Sequence, residues 1–163
     1  MAFQFSVGSL VVTPTTGTQF TIGTLQDVSI DFDITLKELF GSYEYAVDIA
    51  PATKKINGKA KFASINAMNM NDLFFKGTFS GSGLAGSSGT VTYTNQLIGT
   101  VIPSFQLVWN MSYAGKTLQW TFNRCISKKL AFAGKMEDYV IPDFDFMAGA
   151  DSNNSVFTLT LVN

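Results

Sequence analysis

The chain predicts a mainly β fold, an antiparallel β-sandwich or barrel with one flanking α-helix. Three observations lead there. Five apolar residues between Val28 and Leu36 alternate strictly with polar ones. Further strand-like runs, separated by short polar turns, follow to the end of the chain. Helical spacing occurs at one place, from Ser64 to about Lys76. No linker divides residues 1–163, so one domain is expected.

The elements follow in order. Phe20, Ile22 and Thr24 alternate weakly with Thr21, Gly23 and Leu25. Val28, Ile30, Phe32, Ile34 and Leu36 then share one face, with Ser29, Asp31, Asp33 and Thr35 on the other. Alternation turns Asp31 and Asp33 away from the core. Residues 37–53 are expected as an extended loop rich in Tyr, Phe, Ala and Val. In the next strand Ile56, Ala60 and Phe62 point inward, and Lys55, Asn57, Lys59 and Lys61 outward.

In the helix, Ser64 is the expected N-cap and Gly77 the stop. Met70, Leu73 and Phe74, joined by Ala67, form its apolar stripe. At about three turns it is too short to stand alone and must pack on a sheet. A Gly/Ser-rich loop spans residues 81–89. Strands are expected over 91–101, 104–113, 116–132 and 139–147, with Ala114-Gly115 as a tight hairpin turn. A closing strand over 155–162 turns Phe157, Leu159 and Leu161 inward.

Composition narrows function. Hydrophobic residues make up 46%, including 15 Phe, so a packed core is within reach. Charged residues are 14%, against roughly 25% in an average soluble domain. Part of that deficit fits surface buried between subunits. The net charge of −1 offers no basic excess for gripping phosphates. Cys125 is the single cysteine, so no intrachain disulfide forms, and there is no histidine. Ser-His-Asp and Cys-His catalysis and His/Cys zinc sites are therefore excluded. The expectation is a non-enzyme without cofactor or metal. No apolar run is long enough for a transmembrane helix, and Met1–Phe5 lacks signal-peptide character, so a cytoplasmic site of synthesis is expected.

The remaining motifs are weak. Gly81-Ser82-Gly83-Leu84-Ala85-Gly86 spells G-x-G-x-x-G, but a helix precedes it and a strand follows, the reverse of a phosphate loop. Asp31 with Asp33, and Asp143 with Asp145, put paired carboxylates on one strand face; without a Gly-bearing ligand loop they form an acidic solvent face rather than a calcium site. Arg124, Lys128 and Lys129 do not share one face and suit a solvated strand edge. The most pointed signal is the segment 37–53. Leu39, Phe40, Tyr43, Tyr45, Val47 and Ile49 are too apolar for a loop left in water, and mark a surface for another copy of the chain.

The stretch from Glu38 to Asp48, running on through Lys55–Ala63 to Asn71–Phe75, resembles tail tube proteins of tailed bacteriophages, the major tail protein family. A second stretch, Arg124–Leu130 continuing to Lys135–Asp145, resembles them too, and together they cover roughly half the chain. The resemblance implies a virion protein assembled in the host cytoplasm. Hexameric rings whose inner strands join would stack into a hollow tube enclosing a tape measure protein and later conducting DNA. A sheath protein is a further partner it allows; a membrane is not. The segment 37–53 would reach the adjacent ring, and Asp31, Asp33, Lys59 and Lys61 would face the lumen. Acidic groups suit a DNA conduit; the lysines do so only if cross-strand Asp–Lys neighbours neutralise one another. Two alternatives remain open. One is the tube of a related contractile injection or secretion machine. The other is a monomeric β-sandwich binding module exposing Trp109, Tyr113 and Trp120 at one end.

Overall fold

The computed structural model describes residues 8–22, 25–42, 44–46, 48–62, 66–82, 88–97, 102–132 and 142–162. Among them are β1 (Ser9–Pro14), β2 (Phe20–Ile22), β3 (Leu25–Leu39), β4 (Asp48–Phe62), β5 (Thr78–Gly81), β6 (Gly89–Thr92), β7 (Ser104–Tyr113), β8 (Lys116–Ala131), β9 (Asp143–Gly149) and β10 (Phe157–Val162). One short helix, α1 (Ala67–Met70), runs directly into a π-helical turn over Asn71–Phe75. The fold is mainly β and antiparallel, as expected. Its large sheet has the order β2-β1-β7-β8-β9-β4-β3, with β10 also paired to β8, while β5 and β6 form a separate ribbon. Among the described residues the large sheet has two open ends, β2 and β3, and does not close into a barrel.

The core lies on one face of this sheet, and period-2 patterning puts it there. Ile56, Ala60 and Phe62 of β4 are buried, while Lys55, Lys59 and Lys61 are exposed. Phe144, Phe146 and Ala148 of β9 continue the buried row. Phe105 and Phe122 complete an aromatic centre, with Phe105 and Phe144 ring centroids 6.0 Å apart and Phe144 and Phe146 5.6 Å apart. Gly58 sits opposite Phe146. A Cβ there would meet the Phe146 ring at 2.1 Å, so glycine lets the ring lie across β4. β8 holds its apolar face through two register shifts, one near Phe105/Leu107 and one at Ser127/Lys129. Such irregularities re-aim side chains and add twist.

The helical segment covers one end of this face. Met70 and Leu73 are buried against the sheet. The buried Ser127 Oγ donates to the Leu73 carbonyl at 2.6 Å, tying helix to sheet. Asn71 closes the segment: its Oδ1 accepts from the Gly77 N–H at 2.6 Å and its Nδ2 donates to the Gly77 carbonyl at 3.0 Å.

Several expectations are corrected. The observed N-cap is Asn66, whose Oδ1 accepts from the Met68 N–H at 2.9 Å; the expected cap, Ser64, lies outside the described residues. Lys76 (φ 51°), one residue before the expected Gly77, takes the left-handed conformation that ends the helix. β1 was not anticipated, being short and ending in Pro14, yet Leu10 and Val12 are fully buried. Of the strand expected over 91–101, residues 91–92 belong to β6 and 93–97 are not strand, while residues 98–101 lie outside the described residues. Residues 139–141 of the strand expected over 139–147 lie outside the described residues. The Ala114-Gly115 turn stands as expected, both residues having positive φ (49° and 79°), the geometry of a tight two-residue hairpin.

Candidate assembly surface

The segment expected as a loop is mostly ladder. β3 and β4 stay paired from Leu25↔Phe62 out to Leu39↔Asp48, forming a hairpin arm with only residues 40–47 beyond it. Strands persist because the period-2 pattern of β3 continues and Pro51 is absorbed at a register shift near Thr35/Leu36. β9 borders only the Ile56–Lys61 part of β4. From Asp48 to Lys55, β4 pairs with β3 alone among the described residues.

The sheet therefore forks. β9 and β10 occupy one edge of β8 in succession, β9 beside Arg124–Ala131 and β10 beside Thr117–Phe122. Where β9 ends, the β3–β4 arm forms one branch and β10-β8-β7 the other. Phe32 marks the apex, its ring centroid 5.5 Å from Trp120 and 5.6 Å from Phe157. On a flat sheet β3 and β8 would lie three strand spacings apart, about 14 Å. The contact therefore requires a strongly coiled sheet.

From this apex two apolar rows run the same way. β3 and β9 are both antiparallel to β4, and β9 and β10 both antiparallel to β8, so β3 and β10 point in one direction. Phe157 pairs with Phe122 and Phe32 with Ile56, so both rows continue the core face. Yet Ile34, Leu36, Leu159 and Leu161 are 56%, 54%, 48% and 58% exposed. The inward burial expected for Phe157, Leu159 and Leu161 is thus corrected: they face the core side, but Phe157 is only partly covered by Phe32 and Trp120, and Leu159 and Leu161 stay exposed among the described residues. Beyond the fork, Leu39, Phe40, Tyr45 and Ile49 are exposed at the arm tip, Tyr45 at 81%. Tyr43 and Val47 lie outside the described residues.

The opposite face of the same strands is charged. Register sets Asp27 beside Lys61 and Lys61 beside Asp143; Ser29, Lys59, Asp145 and Lys129 form the next row; Asp31 lies beside Asn57, and Asp33 beside Lys55. Asp31, Asp33, Lys59 and Lys61 thus share one solvent face, with acids and bases interleaved. Lys61 Nζ lies 3.9 Å from Asp143 Oδ1, and Asn57 Nδ2 donates to Asp33 Oδ2 at 3.4 Å. Exposed pairs of this kind contribute little stability. Each paired-carboxylate motif therefore meets lysines or an amide, not a set of oxygen ligands.

Other candidates resolve differently. Trp120 is half-buried between Phe32, Phe122 and Phe157 and pairs across the ladder with Trp109, so it is a packing residue at the fork rather than an open platform. Cys125 is buried and desolvation pushes its thiol up to about 12, which keeps it protonated and inert. Arg124, Ser127 and Lys128 line a cavity of about 360 Å³ together with the apolar Ile102, Ile126 and Met147. Gly81 ends β5, and residues 83–86 of the glycine-rich motif lie outside the described residues. The fork itself was missed. Apolar spacing in β10 was visible, but its placement on β8 beyond β9 has no local signature.

Comparison with protein-family models and with characterised proteins finds no match. Among solved structures, a chain of the anti-feeding prophage baseplate, a cryo-EM structure with 6-fold symmetry applied, aligns with TM-score 0.56 at 8% identity, over 100% of this chain and 97% of that one. A chain of the anti-feeding prophage cap, which terminates the tube, aligns with TM-score 0.47 at 13% identity, over 99% and 94%. At such identity the baseplate likeness is one of fold.

Proposed function

We propose that this chain is a self-associating structural subunit of a phage-tail-like tube, built as stacked hexameric rings. One observation carries the reading: a strand-paired arm projects past the core with its apolar residues in water. A monomer gains nothing from that exposure, whereas an assembly buries it. The fold shared with a baseplate chain of a phage-related particle supports the same reading. The protein acts by packing and not by catalysis, in a virion or a related particle.

Light scattering over a concentration series should show mass above the 17.7 kDa monomer, and micrographs should show hollow tubes. A protein that stays monomeric at millimolar concentration would sink the proposal. Replacing Phe40 and Tyr45 with Ser should leave a folded subunit that no longer elongates.

The cargo is DNA in the tail-tube reading and a protein in the reading of a contractile injection machine, which the baseplate likeness also supports. The interleaved face carrying Asp31 and Asp33 is the proposed lumen, near-neutral enough for phosphates to slide. Changing both to Lys should spare assembly but slow DNA passage, with the defect weakening at high salt. Unchanged passage would remove that face from the lumen.

A further inference from the structure

We propose that the cleft at the fork receives the arm tip of a second copy of this chain. The inference rests on the self-association proposed above and names its receiving surface.

The cleft is built for an apolar guest. Phe32, Ile34 and Leu36 line one wall and Phe157, Leu159 and Leu161 the other, all on the core side of their strands and all 42–58% exposed. Its margins also carry free main-chain edges. Asp48–Lys55 of β4 and the outer edge of β10 pair with no further strand of the described chain. Unpaired edges beside an apolar face are what an incoming β-hairpin satisfies.

A chain cannot fill its own cleft with its own tip. Leu39 lies seven residues beyond Phe32 on the strand that forms one wall, about 23 Å further out at 3.3 Å per residue. The tip and the cleft are thus two different surfaces, both apolar and both uncovered. Contact between unlike surfaces is heterologous and repeats from copy to copy, closing a ring or extending a filament.

Charge selects the partner. The tip carries Glu38, Glu44 and Asp48 against Lys37. Lys54 pairs with Ile34, so its side chain emerges on the same side of the sheet as the apolar wall of the cleft. An acidic, aromatic-tipped arm entering an apolar cleft with a lysine at its wall is complementary in both respects. The face that needs covering and the segment able to cover it occur on the same chain.

Cross-linking tests the assignment. Chains carrying Phe40→Cys are mixed with chains carrying Leu159→Cys, and a second mixture pairs Tyr45→Cys with Leu161→Cys, each within an excess of wild-type chain that supplies intact tips and clefts for assembly. All four sites are exposed, so folding is spared, and buried Cys125 contributes no background. Under mild oxidation, samples that micrographs show assembled should give covalent dimers at least tenfold above a Phe40→Cys and Ser152→Cys control. Adding Lys54→Glu should reduce that yield. Assembled samples in which neither pair links above control would overturn the cleft as receptor and leave self-association standing. A wild-type chain that never assembles overturns both.

Discussion

The two halves of β4 make an instructive contrast. Ile56–Phe62 lies between β3 and β9 and alternates buried with exposed; Asp48–Lys55 has β3 alone beside it and is exposed throughout. The same holds along β3. Val28 and Ile30 pack against the core, while Ile34 and Leu36, in the same register on the same face, stand in water. Hydrophobicity does not separate the halves. Coverage does: Met70 and Leu73 close one end of the face, and the other end opens into the fork. An apolar stripe thus declares which side of a strand seeks burial, and leaves open whether the same chain provides it.

The largest test of this contrast compares one residue from each end. Phe146 is 0% exposed at the covered end, paired with the Ser127 that bonds the helical turn. Phe146→Ala should cost about 3–5 kcal/mol of unfolding free energy in urea titrations. Ile34→Ala in the monomer should stay within about 0.5 kcal/mol, as for a surface site. A core-sized loss at Ile34 would erase the distinction between the halves. Next comes the tie that fixes the helix over its half. Ser127→Ala removes the donor to the Leu73 carbonyl and leaves that oxygen buried, so a loss of about 1–3 kcal/mol is expected.

The smallest effect concerns Asp72, on the helical turn. Desolvation raises its carboxyl above the ordinary 3.8. The folded state therefore holds the proton more tightly than the unfolded chain. The favourable contribution is present below 3.8 and is lost as pH rises through the raised folded value. Asp72→Asn, which cannot ionise, should gain stability over the wild type at pH 7 and lose that advantage at pH 3. The gain is modest because the carboxyl still meets water. An advantage equal at both pH values would place its cause in packing rather than ionisation.

Much of this architecture was legible beforehand. The alternation from Val28 to Leu36, the outward row of Lys55, Asn57, Lys59 and Lys61, the Ala114-Gly115 turn and a short helix near Met70–Phe75 all rest on contacts between near neighbours. The helix start shifted from Ser64 to Asn66 because Ser and Asn cap equally well and only the packing of Met70 and Leu73 chooses between them. The arm was mistaken for a loop because its apolar residues suggested an interface, and an interface segment is as easily strand as loop. The charged face emerged only with register, since Asp145 meets Lys59 and Lys129 from strands distant in sequence.

By itself the sequence determined a mainly β chain, the faces of its strands, and an apolar segment near residues 37–53. Those properties repeat every two residues and are written locally. Tertiary structure alone decided that the sheet forks after β9, that Phe32 reaches Trp120 and Phe157, and that the apolar rows beyond them stay uncovered. These depend on contacts between residues some ninety to one hundred and twenty-five positions apart, made by coiling of the sheet. A periodic pattern specifies the side on which a side chain emerges, and only the assembled sheet specifies what, if anything, lies opposite it.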